Sequence, residues 1–239
     1  MTKRLVSIVI PVYNEEKILE GAVTKLMRDI KPYMEDYDFE IILAENGSSD
    51  RTIEKGEQLS KKYPFLSIFH YHKPDYGLAL QQGIREAKGE IVICDEIDLC
   101  LPEFYEKSLE MFKTEDVEMI VGSKRIAGAS DQRPFKRRFA TWALNILLKI
   151  VLGFKGTDTH GVKAFIREPL IPVLDRCLVG KDIFASEFVI RAERMGIKIK
   201  EVPISLDEKR APSIRLLHRV PKVLSNITYL FWNVRIKNR

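Results

Sequence analysis

Residues Lys88 to Glu103 read KGEIVICDEIDLCLPE. The apolar run Ile91-Val92-Ile93-Cys94 ends abruptly in Asp95, Glu96 and Asp98, and a turn-forming proline follows at Pro102. A short apolar run bounded this way predicts a buried strand that delivers carboxylates to the edge of a sheet. Open α/β sheets bind ligands just beyond the carboxyl ends of their strands. Carboxylates gathered there are costly unless a cation meets them. Glu96 and Asp98 are two apart, so on extended backbone they share one side and can hold a hard divalent cation through oxygen. The competing reading is an acidic strand-to-helix turn that only caps a helix starting at Pro102.

Outward toward the N-terminus, strands and helices alternate. Leu5 to Ile10, Phe39 to Ala44 and Leu66 to His70 read as strands. Glu15 to Lys31 shows helical spacing through Ile18, Ala22, Leu26 and Ile30, with Asn14 as its cap. Thr52 to Tyr63 and Gly77 to Ala87 read as further helices. This alternation predicts an α/β fold with a mostly parallel sheet flanked by helices. Polar loops at 13–16, 45–50, 73–77 and 95–98 fall on one expected edge. No GxGxxG follows the first strand and no GxxxxGK[ST] occurs, which disfavours a dinucleotide fingerprint or a P-loop.

Outward toward the C-terminus, Pro102 to Phe112 reads as a helix and Met119 to Ser123 as a strand leading into Lys124-Arg125. From Pro134 to Val151, Phe135, Phe139, Trp142, Ile146 and Ile150 recur at near-helical spacing among Lys136, Arg137, Arg138 and Lys149. That pattern suits a helix in a membrane interface; an ordinary core helix is the alternative. Residues 156–165 read as a polar turn, in which lone His160 is a hydrogen-bonding loop residue before it is a base. A helix from Glu187 to Arg194 and a strand from Ile197 to Val202 follow. The basic, aromatic-bearing tail suits a membrane surface or an anion, the alternative being a packed helix with a solvated basic face. The reading is one domain over 1–206, with an interfacial helix at 134–152, and a basic amphipathic tail over 207–239.

The chain has 239 residues, of which 45% are hydrophobic and 31% charged, enough for one sizeable domain. Cys94, Cys100 and Cys177 show no disulfide or zinc spacing, which suits a reducing compartment. No signal-peptide pattern and no apolar run of ~18 residues is present. The net charge of +5 implies an anionic partner. Nucleic acid is not expected, because no RNA- or DNA-binding signature accompanies the charge.

An ordered set of segments then stands out: Val9-Ile10-Pro11-Val12-Tyr13-Asn14-Glu15, Glu45-Asn46-Gly47-Ser48-Ser49-Asp50, Asp75-Tyr76-Gly77, Glu96-Ile97-Asp98-Leu99, Gly122-Ser123-Lys124-Arg125, Asp158-Thr159-His160-Gly161-Val162-Lys163 and Glu201-Val202-Pro203-Ile204. It resembles the GT-A fold, family 2 glycosyltransferases, and within them the dolichyl-phosphate mannose synthase and polyprenyl-phosphate sugar transferase group. The resemblance implies a nucleotide-sugar site formed by Pro11, Tyr13, Glu15, Glu45, Asn46, Asp75, Gly77 and Asp95. It implies Mg²⁺ or Mn²⁺ on Glu96 and Asp98, with Asp95 as a substitute ligand. Asp98, Lys124, Arg125 and Lys163 would serve the transfer, and Lys163 and Arg210 the acceptor phosphate. Glu96 stands for the first aspartate of the family motif, Glu45-Asn46 for an aspartate pair, and Cys100 where relatives often place a glutamine. The implied activity is inverting transfer of mannose from GDP-mannose to a polyprenyl or dolichyl phosphate, peripheral on the cytoplasmic face of a membrane. A family 2 enzyme using a UDP-sugar or a non-lipid glycan acceptor is the alternative, and a non-catalytic nucleotide-sugar-binding protein is another.

Overall fold

The computed structural model describes residues 2–72, 74–180, 183–206 and 216–237. Along the chain come β1 (Arg4–Val12), α1 (Leu19–Ile30), β2 (Tyr37–Glu45), α2 (Thr52–Lys62), β3 (Leu66–His70), α3 (Tyr76–Glu86), β4 (Ile91–Cys94) and α4 (Pro102–Thr114). Then follow β5 (Met119–Ser123), β6 (Ser130–Asp131), α5 (Phe135–Leu152), β7 (Lys163–Ile166), α6 (Arg167–Asp175), α7 (Phe184–Arg194), β8 (Ile199–Pro203), β9 (Ser205–Leu206) and α8 (Leu216–Leu230). The last helix runs on as π-helical turns over Phe231–Ile236.

Seven strands form one sheet in the order β3-β2-β1-β4-β7-β5-β8, and β6 and β9 make a separate pair. β1 pairs in parallel with β2 and β4, β2 with β3, and β5 with β8. β7 runs against both β4 and β5. The sheet is therefore mixed, which corrects the expectation of a mostly parallel one. Nothing in Lys163-Ala164-Phe165-Ile166 announces a reversed strand, because direction is set by which edge the preceding loop returns to.

Both faces of the sheet are covered, so its central strands are nearly continuous in apolar residues. Val6, Ile8, Ile10, Ile41, Leu43 and Ile93 pack toward α1 and α4, where Leu19, Leu26, Phe104 and Tyr105 meet them. Val9, Ile42, Val92 and Phe165 pack on the other face with Leu80, Leu148, Phe184 and Phe188. Phe165 meets Phe188 edge to face at 5.4 Å between ring centres, and Phe184 stacks on Phe188 at 5.7 Å. Truncating such a buried ring costs roughly 3–5 kcal/mol.

Asn14 does not cap α1. That helix starts at Leu19 with no side-chain cap, while Asn14 takes a positive φ of 55° and its Oδ1 accepts from the Ser49 amide at 2.9 Å. The asparagine instead ties the loop after β1 to the loop after β2. α5 closes at Gly153, whose φ of 74° is the left-handed conformation that ends helices at little cost to glycine.

Candidate active site

β1, β2, β3, β4 and β5 all end on one edge of the sheet. Because β7 is reversed, its first residue reaches the same edge: Lys163 pairs in register with Cys94 of β4 and Val121 of β5. Carboxylates and amines from distant parts of the sequence thus meet there.

Ile97 is buried in the core, whereas Glu96 and Asp98 on either side of it are exposed. The two carboxylates lie on the solvent side although the chain turns here instead of staying extended, with the Leu99 amide donating to the Glu96 carbonyl at 3.0 Å. Loss of water in this recess, then the charge of Asp98, raises the Glu96 carboxyl to about 7, although its side chain reaches solvent. Asp95 is only 2% exposed. It accepts from the Tyr105 hydroxyl, and from the Glu96 amide at 2.6 Å. Burial raises its pKa to about 6 against the pull of those hydrogen bonds. Asp95 therefore lies beneath the exposed pair, bound to α4. Tyr76, at the start of α3, faces the same group: desolvation, then Glu96, pushes its hydroxyl well above the usual range.

Cys100 is buried, with a φ of 43° and its Sγ 3.8 Å from the carbonyl oxygens of Glu96 and Ile97. It closes the turn after the acidic pair. Its soft sulfur is packed into the fold, leaving the open side of the recess to oxygen.

The cations are held more tightly. Lys163 is buried and donates to the Gly161 carbonyl at 2.7 Å. Burial lowers its ammonium to about 8, partly offset by Cys94, Asp158 and Glu96. Lys124 Nζ lies 2.9 Å from Asp158 Oδ2, with side chains 3% and 0% exposed. Asp158 also accepts from the His160 amide at 3.0 Å. Burial works to raise the Asp158 pKa, but Lys124 and its hydrogen bonds outweigh that and hold it low. Glu201 on β8 supports the loop, accepting from the Thr157 amide at 2.6 Å and the Asp158 amide at 3.2 Å. Arg125 is exposed at the mouth.

The remaining residues expected at a nucleotide line the same edge. Pro11 and Asn46 are buried, Tyr13 is exposed, and the Glu15 amide donates to Thr52 Oγ1 at 2.7 Å. Glu45 is sealed: it receives the Ser48 amide and joins His70 Nδ1. Asp75 caps α3, accepting from the Leu78 amide at 3.0 Å. Gly77 has no room for a side chain, since a Cβ there would lie 2.2 Å from the Gly180 carbonyl oxygen. Arg210 lies outside the described residues. Asp158, Tyr76, Tyr105 and His70 are site residues to which sequence reading gave no role. Only their partners across the fold mark them.

Among the described residues no group of three or more His, Cys, Asp or Glu side chains comes together as a metal cage. Glu96 and Asp98 alone fit a hard cation in one specific way. They are two exposed, mutually repelling carboxylates whose repulsion Lys124 and Lys163 relieve only in part, so a divalent ion there would take its other oxygens from water or a bound diphosphate.

Residues 7–172 match the profile of Glycosyl transferase family 2. Glycosyltransferase AglD of Haloferax volcanii is 27% identical over 98% of this chain, which covers 38% of that protein. Dolichyl-phosphate beta-glucosyltransferase ALG5A of Trichomonas vaginalis is 28% identical over 84% of this chain, which covers 65% of it. The chain thus spans less than two thirds of the length of these relatives. In fold it is similar to glucosyl-3-phosphoglycerate synthase of Mycobacterium tuberculosis, solved with Mn²⁺, UDP and phosphoglyceric acid. That likeness has a TM-score of 0.66 at 20% identity, over 96% of this chain and 78% of that one. The seven-strand order with its one reversed strand, the carboxylate edge and the family match across residues 7–172 make this chain a member of glycosyl transferase family 2 with a GT-A fold.

Proposed function

We propose that the chain transfers a sugar from a UDP-sugar to a polyprenyl or dolichyl phosphate at a membrane surface, with inversion at the anomeric carbon. The observation that carries the transfer chemistry is the exposed Glu96–Asp98 pair at the strand edge that also bears Lys163 and Arg125. The UDP-sugar is taken ahead of GDP-mannose because the neighbour in fold reported above is solved with UDP.

Glu96 and Asp98 would hold Mg²⁺ or Mn²⁺, which supplies charge neutralisation to a diphosphate leaving group. Lys163, with a pKa of about 8, stays mostly protonated at neutral pH and lends positive charge to the floor of the recess. Arg125, exposed at this edge, would meet the acceptor phosphate. An acceptor that arrives as an anion needs alignment and loss of water, and no strong base. This fits an edge at which His160 is engaged with Thr159 Oγ1 at 3.0 Å.

A lipid-borne acceptor is supported by α5. Phe135 and Ile150, at its two ends, are 76% and 74% exposed, with Phe139, Trp142 and Ile146 exposed between them. Leu224, Tyr229, Trp232 and Ile236 add exposed apolar groups from the C-terminal helix that packs on α5. Lys136, Arg137, Arg138 and Lys149 border the α5 face. Among the described residues no helix is long and apolar enough to cross a membrane. An aromatic face with a basic border suits the interface of an anionic bilayer.

The test is a donor panel of UDP-glucose, UDP-N-acetylglucosamine and GDP-mannose, each with short polyprenyl phosphate, phosphoglycerate or an oligosaccharide, with and without Mn²⁺. Products are read by mass. Transfer from a UDP-sugar to the lipid phosphate supports the proposal. Exclusive use of GDP-mannose overturns the donor, transfer only to a soluble acceptor overturns the lipid, and no product from any pair points to a binding protein.

A further inference from the structure

The segment Glu201-Val202-Pro203-Ile204 begins on β8, an edge strand of the seven-stranded sheet, where Glu201 is the register partner of Val121 on β5. Four successive amides of the loop after α5 end on two carboxylates. Those of Lys155 and Gly156 donate to Glu193 of α7, each at 3.1 Å. Those of Thr157 and Asp158 donate to Glu201, at 2.6 and 3.2 Å. Glu201 also takes a side chain from the loop, because the Thr157 hydroxyl donates to its Oε2 at 2.8 Å.

That last bond sets the direction of a longer chain. A hydroxyl has one hydrogen to give, and Thr157 gives its own to the carboxylate. In the 2.7 Å contact between Ser123 Oγ and Thr157 Oγ1, serine is then the donor. Ser123 Oγ in turn accepts from the Arg125 amide at 3.1 Å. Ser123 is 0% exposed, so this link is shut away from solvent. From the Arg125 amide through Ser123 and Thr157, each group donates toward Glu201. Hydrogen bonds aligned in this way polarise and strengthen one another. The far end of the chain is the backbone of Arg125, whose side chain is exposed at the carboxylate edge.

We infer that Glu201 is a positioning residue for the acceptor side of the reaction. Through Thr157 and Ser123 it fixes the backbone from which Arg125 reaches the acceptor phosphate. Glu193 serves as the contrast, since it ties down the first half of the same loop and, among the described residues, makes no hydrogen bond to this chain of hydroxyls. The inference rests on the reading of Arg125 given above.

The test follows transfer by the full chain to short polyprenyl phosphate, with the donor that the panel selects, and separates kcat from the KM of each substrate. Thr157→Val keeps the shape of the side chain and both amides on Glu201 but cuts the chain of hydroxyls. It should raise the acceptor KM about five- to tenfold, roughly the worth of one hydrogen bond, with kcat and the donor KM within about twofold. Thr157→Ser should restore the wild-type value. Glu201→Ala should raise the acceptor KM by a similar factor, and adding Thr157→Val to it should change nothing more. Glu193→Gln should lower the melting temperature and leave the acceptor KM alone. In an Arg125→Ala background Thr157→Val should have no further effect. An unchanged acceptor KM in Thr157→Val overturns the inference, as does an effect that adds in full to that of Arg125→Ala. Wild-type transfer only to phosphoglycerate overturns the lipid reading, and the same comparison is then decided on that phosphate. Wild-type transfer to neither overturns the acceptor reading and this inference with it.

Discussion

Removing the Lys124 charge should unfold more of the protein than any other single change at the site. The Lys124 ammonium and the Asp158 carboxylate lie 2.9 Å apart with side chains 3% and 0% exposed, so neither has water to fall back on. Lys124→Met keeps the length of the arm but leaves a buried carboxylate with the amides of residues 160 and 124 at 3.0 and 3.4 Å and the more distant charge of Lys163. Breaking a buried pair from one side costs about 3–5 kcal/mol, whereas removing both charges together is often close to neutral. Lys124→Met and Asp158→Asn should each approach that cost, and the double variant should be more stable than either single one. Urea unfolding followed by circular dichroism at pH 7, with all four proteins in one cycle, measures the coupling. The acid profile supplies an independent check. Asp158 has a folded pKa depressed below its ordinary value of 3.8, so its contribution is full above that pH and is lost as pH falls from there through the folded value. Lys124→Met should flatten that acid limb. Single variants that each cost less than ~1 kcal/mol, with strict additivity in the double, would refute the buried pair and return Lys124 to the phosphates.

Glu96→Ala with Asp98→Ala should remove the Mn²⁺-dependent part of nucleotide binding and cut transfer by about 10²-fold or more, while thermal unfolding barely moves because both side chains are exposed. Phe139→Ser with Trp142→Ser should lower partitioning onto anionic vesicles by about 10²-fold, from ~1.5 kcal/mol or more per inserted ring, as read by co-sedimentation. Unchanged sedimentation would sink the membrane face of α5. Gly161→Ala would set a Cβ 1.7 Å from the Gly122 carbonyl oxygen, forcing β5 away from the loop before β7 at a cost of ~1–3 kcal/mol or more. By contrast Gly21→Ala, inside α1 with nothing within 4 Å, should stabilise the protein by about 0.5–1 kcal/mol in the same melts.

What could be read from the sequence divides along a physical line. Leu66–His70, Ile91–Cys94 and Met119–Ser123 are strands with the bounds their apolar runs suggest, because burial and chain breaks are local signals. The exposure of Glu96 and Asp98 on either side of buried Ile97 is not such a signal: alternation on extended backbone suggests it, but the chain turns there, with the Leu99 amide on the Glu96 carbonyl. α6 was hidden by Pro169 and Pro172, which argue against a helix until tertiary packing overrides them. In α5 the spacing revealed a face but not its direction. Leu144, Leu147 and Leu148 broaden the apolar surface, and only the structure turns Leu148 and Leu152 inward and the aromatic row outward.

The chemistry of the site lies on the non-local side of that line, and one element explains why. Glu45 depends on a histidine 25 residues away, and Asp95 on a tyrosine 10 residues on. Asp158 faces Lys124 across 34 residues. The last of these exists because β7 runs backward. With Lys163 opposite Cys94, the loop before β7 arrives at the carboxylate edge and brings Asp158 to Lys124. Were β7 parallel to β4, Ile166 would take that place, and Lys163 would lie at the far end of the strand, about 10 Å away at ~3.3 Å per residue. The one strand whose direction the sequence concealed is thus the strand that sets amines beside the acidic recess. A nucleotide-diphosphate site needs both charges at one edge, so the reversal that brings Lys163 there is what the candidate function requires of the fold.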